Sequence, residues 1–117
     1  FPVTIPWVGP DVPGAVDTLK YLHANGHQLI LWTMRSETDE HPNGLSDAVN
    51  WFEERGIPLH GVNENPGQES WTKSPKAYCQ LYIDDAALGC PLIYPDEGRP
   101  YVDWNAVGNL MGLPDDV

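Results

Sequence analysis

Basic residues are scarce in this chain. Six Lys and Arg stand against 17 Asp and Glu, for a formal net charge of −11. That balance excludes nonspecific binding to nucleic acid or to an anionic membrane surface. It does not exclude a small phosphorylated molecule, because local charge can differ from the total. Cysteine is nearly absent too: Cys79 and Cys90 are the only two. Two cysteines make no disulfide framework, and their spacing is not a zinc signature. Reduced thiols in a cytoplasmic protein are the expectation. No apolar run approaches the roughly 18 residues of a membrane span, and no signal-peptide pattern is present. Repeats and low-complexity tracts are also missing.

What remains is the composition of a globular domain. The chain has 117 residues, 41% of them hydrophobic, with five Trp and five Tyr. That is a one-domain length with enough apolar material for a core. The twelve prolines and eleven glycines punctuate many loops.

The stretch Leu81-Tyr82-Ile83-Asp84-Asp85-Ala86-Ala87-Leu88-Gly89 organises the rest. An uninterrupted apolar run predicts a buried strand. Two adjacent carboxylates then fall at its carboxyl end, where open α/β sheets bind ligands. Adjacent acids repel, so solvent, a basic neighbour or a hard cation such as Mg²⁺ must offset them. Taken alone, such a pair is more often a solvated Asp-Asp turn after a strand.

Earlier in the chain, Phe1–Ile5 is a candidate extended piece, followed by a proline-rich loop. Pro13 suits a first helical position, with Asp11 favouring the helix end. Val12, Val16 and Leu19, continued by Leu22, predict an amphipathic helix over about 13–25, ended by Asn25-Gly26. Gln28–Trp32 follows as a short buried parallel strand. It runs into Thr33-Met34-Arg35-Ser36, where the Thr33 hydroxyl and the Arg35 guanidinium are suited to holding phosphate; ordinary loop polarity explains them equally well. The acidic loop 37–44 contains His41, a surface residue. Leu45, Ala48, Val49 and Phe52 predict a second helix over 45–55, stopped by Gly56. A strand is expected over 57–62, with Pro58 near its start.

The polar loop 63–74 then lies on the same rim as Thr33 and the acid pair. Trp71 either packs over that rim or is plainly structural. Lys76 precedes Asp84 by eight residues and could reach the carboxylates; a solvated lysine is the other reading. Cys90–Tyr94 is a candidate last strand. Asp103 is a candidate N-cap for a final helix carrying Val102, Ala106, Val107, Leu110 and Met111. Strands alternating with helices predict a three-layer Rossmann-like α/β fold, a parallel sheet with helices on both faces.

Thr33, Lys76 and Asp84-Asp85 in that order resemble the haloacid dehalogenase-like superfamily of phosphohydrolases. The wording Leu31-Trp32-Thr33-Met34-Arg35 and Tyr82-Ile83-Asp84-Asp85-Ala86-Ala87-Leu88-Gly89-Cys90-Pro91-Leu92 is similar to a small capless bacterial branch. The resemblance runs from about Trp7 to Leu110. It implies a single domain over 1–117 that uses Mg²⁺ and an aspartate nucleophile on a small phosphorylated substrate. Carried over by residue, Asp84 and Asp85 are the metal ligands. Thr33 and Lys76 are catalytic, and Thr33, Arg35 and Lys76 bind the substrate.

One part of the pattern is missing. The family's nucleophile motif, Asp-x-Asp-Gly after the first strand, occurs nowhere before the first helix. The resemblance therefore implies an N-terminally incomplete domain, with the strand between those ending at Thr33 and Asp84 absent or replaced. Phe1–Ile5, or a strand from another copy in a homo-oligomer, is expected to fill that slot. The functional expectation is a Mg²⁺-dependent phosphohydrolase or its remnant. The alternative is a non-catalytic relative acting as a binding module. A phosphoacceptor-type regulatory domain ranks third, because its acidic pair comes near the chain start.

Overall fold

The structure, a computed structural model, describes residues 1–7 and 12–113. The proposed role of Asp11 at a helix end, and the acidic tail from residue 114, lie outside the described residues. Four short strands form one parallel sheet: β1 (Pro2–Ile5), β2 (Gln28–Leu31), β3 (Gly61–Val62) and β4 (Leu81–Tyr82), in the order β3-β2-β1-β4. β1 therefore holds the central slot, paired with β2 on one side and β4 on the other. The chain's own first segment fills it, as expected, and no strand from another copy is needed. Proline is unusual in a central strand because it cannot donate to the ladder. Here Pro2 is the first strand residue, and its carbonyl accepts from Gln80 N at 2.9 Å. Pro6 follows Ile5 and ends the strand.

Three helices follow the same alternation: α1 (Ala15–Ala24), α2 (Gly44–Glu54) and α3 (Trp104–Leu110). β1, β2 and β3 step in one direction, so right-handed connections put α1 and α2 on one face. Val3, Ile5, Leu29, Leu31 and Ile83 point to that face and join Leu19, Leu22, Phe52 and Trp104 in one buried cluster. α3 packs on α1, where buried Thr18 donates its hydroxyl to Trp104 O at 3.0 Å. Gly108 makes that contact close, since a Cβ there would stand 3.1 Å from Thr18 Oγ1 and 2.9 Å from a Leu113 methyl.

The step from β3 back to β4 runs the other way and crosses the opposite face. Thr4, Ile30 and Tyr82 point there, in register across the sheet. The crossover, residues 63–80, covers them with a single 3-10 turn at Gln68–Ser70. Tyr82 pins it by donating to Ala77 O at 2.5 Å. The fold is thus a three-layer Rossmann-like α/β domain whose second covering layer is mostly irregular chain. Among the described residues, no helix is long and apolar enough to cross a membrane.

Several boundaries differ from expectation. α1 starts at Ala15, because Gly14 takes a left-handed cap conformation (φ 77°) and leaves Pro13 outside. The expected strand over 57–62 pairs only at Gly61–Val62. Pro58 has no N–H, and the segment reaches the sheet only where His60 N donates to Leu29 O at 2.7 Å. Loop 63–74 begins at the rim and then leaves it, since it must return to the opposite end of the sheet before β4. The candidate last strand does not extend the sheet. Leu92–Ile93 (β5) pairs antiparallel with Tyr101–Val102 (β6) as a separate hairpin. Val102 therefore belongs to β6 rather than to the final helix. Asp103 does cap α3, its Oδ1 accepting from Ala106 N at 3.1 Å.

Candidate functional site

All four parallel strands end at one rim, the usual ligand edge of such sheets. β2 delivers Thr33, β3 delivers Asn63 and β4 delivers Asp84 and Asp85. Between them, β1 delivers Ile5-Pro6-Trp7, so no acid follows the central strand among the described residues.

Thr33 and Asn63 meet directly. Thr33 N donates to Asn63 Oδ1 at 2.8 Å, and Asn63 N donates to Leu31 O at 2.7 Å. Asn63 is the one non-glycine residue among those described with positive φ, at 56°. Asparagine tolerates that region better than other side chains, and its amide oxygen then reaches across the rim. Thr33 Oγ1 accepts from Arg35 N at 3.1 Å. Its own hydroxyl hydrogen has no acceptor among the described residues and remains free to donate.

Arg35 is directed elsewhere. Its Nε donates to Gly44 O at 2.7 Å and its guanidinium lies 5.2 Å from the Trp7 ring centroid. It ties the β2–α2 loop to the residue that follows β1, while its remaining donors face solvent.

Lys76 does not reach the acid pair. Its Nζ lies 5.4 Å from the Tyr82 ring centroid, on the crossover face. Arg55–Glu54 is the only ion pair among the described residues. Lys76 is held at the backbone, where its carbonyl accepts from Gln68 Nε2 at 3.0 Å. The Tyr82 phenol beneath it is pushed up to about 12, first by burial and then by Cys79, so it stays neutral. Trp71 does not cover the rim: it packs edge-on against Tyr78, ring centroids 5.6 Å apart, and is largely exposed.

Asp84 and Asp85 sit side by side at the end of β4. Asp84 Oδ1 accepts from Ala86 N at 2.9 Å, which turns the chain sharply after the strand. Burial, and then the neighbouring Asp84 carboxylate, raise the Asp85 carboxyl above its ordinary range; Arg99 pulls it down only partly. Neither acid has an ion-pair partner among the described residues. Two such hard oxygen donors suit Mg²⁺, which takes one or two carboxylates and keeps several waters. No group of three His, Cys, Asp or Glu side chains fit for a metal occurs among the described residues.

Arg99 and the groove beside it had no counterpart in the sequence reading. Arg99 lies near the end of loop 94–100, which joins β5 to β6, and the hairpin sets it against the rim. A cleft of about 250 Å³ opens there, lined by Trp7, Asp85, Arg99, Tyr101 and Trp104 among others. A lone arginine in a loop gives no periodic signal. Only the folded hairpin sets it beside Asp85.

No family model and no curated protein matches this chain. Among solved structures, a conserved protein from Bacteroides thetaiotaomicron is similar, with a TM-score of 0.70 and 26% identity over 94% of this chain and 88% of that one. The likeness extends through nearly the whole α/β domain and names no chemistry.

Proposed function

We propose that this chain is the cation- and phosphate-holding part of a haloacid dehalogenase-like, Mg²⁺-dependent phosphohydrolase acting on a small phosphorylated substrate in the cytoplasm. The observation that carries the reading is the acid pair Asp84-Asp85 on the same rim as Thr33. Mg²⁺, when bound, supplies charge neutralisation for a phosphoryl group. The chain's own residues do the rest. Asp84 and Asp85 hold the cation. Thr33 donates its free hydroxyl hydrogen to a phosphoryl oxygen. Lys76, held over the Tyr82 ring on the crossover face, takes no part at the rim. Arg35 acts on the substrate only through its solvent-facing donors.

A second reading has a specific observation behind it. Where the family has its nucleophile, this chain has Ile5-Pro6-Trp7, so a non-catalytic relative that binds without turnover is also supported.

Calorimetric titration with Mg²⁺ tests the shared claim. Saturable binding is expected in the wild type and is expected to weaken at least about tenfold in a D84N/D85N double variant, as the loss of charged ligands implies. Unchanged binding in that variant defeats the proposal. An assay with p-nitrophenyl phosphate separates the two readings. This chain is expected to give no turnover. Turnover by a Pro6→Asp variant, which sets a carboxylate at the rim directly after β1, favours the enzyme, and none in either favours the binder.

A further inference from the structure

The cleft beside Asp85 has aromatic walls: Trp7 packs edge-on against Trp51 and Phe52 and lies under the Arg35 guanidinium, and the part of it left uncovered faces the cleft. Trp7 and Tyr101 are half-buried side chains from two unrelated segments, one following β1 and the other in β6. Trp104, almost fully buried, closes the floor. Flat aromatic walls favour a planar apolar guest, through stacking and edge contacts. At the mouth stands Arg99, exposed and without an ion-pair partner among the described residues. A guanidinium presents a rigid fork suited to the oxygens of a phosphate. Asp85 lines the same cleft, so a guest seated here borders directly on the acid pair.

We propose that this cleft is the binding site for the organic part of an aromatic phosphomonoester, its ring against Trp7 and Tyr101 and one phosphate oxygen on Arg99, with the other oxygens left to the cation at Asp84-Asp85 and to Thr33. The choice of phosphate as the anionic group rests on the proposed function; the choice of an aromatic ring rests on the cleft alone. The site makes Arg99 and Tyr101 determinants of specificity. An aliphatic phosphate lacks the ring, and inorganic phosphate reaches only the mouth. A volume of about 250 Å³ has room for a single substituted ring.

The test uses phenyl phosphate and inorganic phosphate as probes, with and without Mg²⁺. Binding is followed by the indole N–H signals in ¹H–¹⁵N NMR. The Trp7 and Trp104 signals are expected to move on titration with phenyl phosphate. The Trp71 signal, on the crossover, is expected to stay fixed. Phenyl phosphate is expected to bind at least about tenfold more tightly than inorganic phosphate, the gain of burying one ring. An R99Q variant, altered only at an exposed loop, is expected to lose about tenfold in phenyl phosphate affinity, and R99K to recover only part of it. A Y101L variant is expected to weaken phenyl phosphate and leave inorganic phosphate unchanged.

Equal affinity for the two probes, or shifts at Trp71 in place of Trp7 and Trp104, overturns the cleft. So does an R99Q variant that binds phenyl phosphate like the wild type. These failures leave Mg²⁺ binding at Asp84-Asp85 untouched, so they are distinct from failure of the proposed function. That failure is loss of Mg²⁺ binding while Arg99-dependent phenyl phosphate binding persists, an outcome that keeps the cleft.

Discussion

On the β2–β3 half of the rim, Thr33, Asn63 and Arg35 direct their polar groups at one another and at loop backbone. On the β4 half, Asp84 and Asp85 form no ion pair among the described residues, and Arg99 offsets Asp85 only partly, beside an open cleft. The two halves sit on one sheet and are both rich in polar residues. The difference is where the hydrogen bonds go. The satisfied half offers a ligand little beyond the Thr33 hydroxyl; a rim that keeps polar groups unpaired in a concave, aromatic-walled site is where a ligand gains most. Substitutions that open the satisfied half or neutralise the unsatisfied half test that contrast.

The largest expected effect comes from the floor of the open half. Trp104 is buried, accepts from Thr18 through its carbonyl, and lines the cleft. Trp104→Ala is expected to cost about 3–5 kcal/mol in urea unfolding, the usual cost of truncating a large core aromatic. A loss below about 1 kcal/mol shows that the hairpin and α3 are not packed as one unit with the sheet.

A smaller effect is expected on the satisfied half. Asn63→Ala removes the acceptor for Thr33 N and leaves a Cβ in the left-handed region. The expected cost is about 1–2 kcal/mol. Asn63→Gly relieves the backbone and is expected to recover part of it. Neither variant is expected to change Mg²⁺ affinity. If either one does, the two halves are coupled and the contrast between them is false.

These two sites also show what a sequence can reveal. α1, β2 and α2 were legible because apolar spacing and glycine stops mark them, and the central position of Phe1–Ile5 was implied only by the family resemblance, which expects a strand between those ending at Thr33 and Asp84. Asp103 was legible because a cap depends on local chemistry alone. β6 was not, because Val102 fits a helical spacing with Ala106 as well as it fits a two-residue strand. The cleft was invisible for a deeper reason. Trp7, Asp85, Arg99 and Tyr101 are brought together only by a hairpin whose pairing leaves no periodic trace. Lys76 failed in the opposite sense. Eight residues of separation allowed contact with Asp84, but the crossover, fastened by Gln68 and Tyr82, holds it over a ring on the other face.

The smallest effect is the most direct reading of the charge on the acid pair. The Asp85 carboxyl is raised in the folded chain by burial and by Asp84, so folding favours its protonated form. A group raised on folding supports stability below its unfolded value, about pH 4 for Asp, and loses that support as pH rises through its folded value. Above that window the charged pair weakens the fold. Asp85→Asn cannot ionise, so it is expected to be more stable than the wild type at pH 7 by about half a kcal/mol, since Asp85 is exposed enough for solvent to screen most of the repulsion. The advantage is expected to vanish below about pH 4, where Asp85 is protonated in both states. Added Mg²⁺ at pH 7 is expected to raise the wild-type melting temperature and not that of the variant. Thermal melts across pH, with and without Mg²⁺, check this. A variant less stable than the wild type at pH 7 means that Asp85 is already neutralised within the protein, and the open half of the rim then holds no charge to offer a ligand.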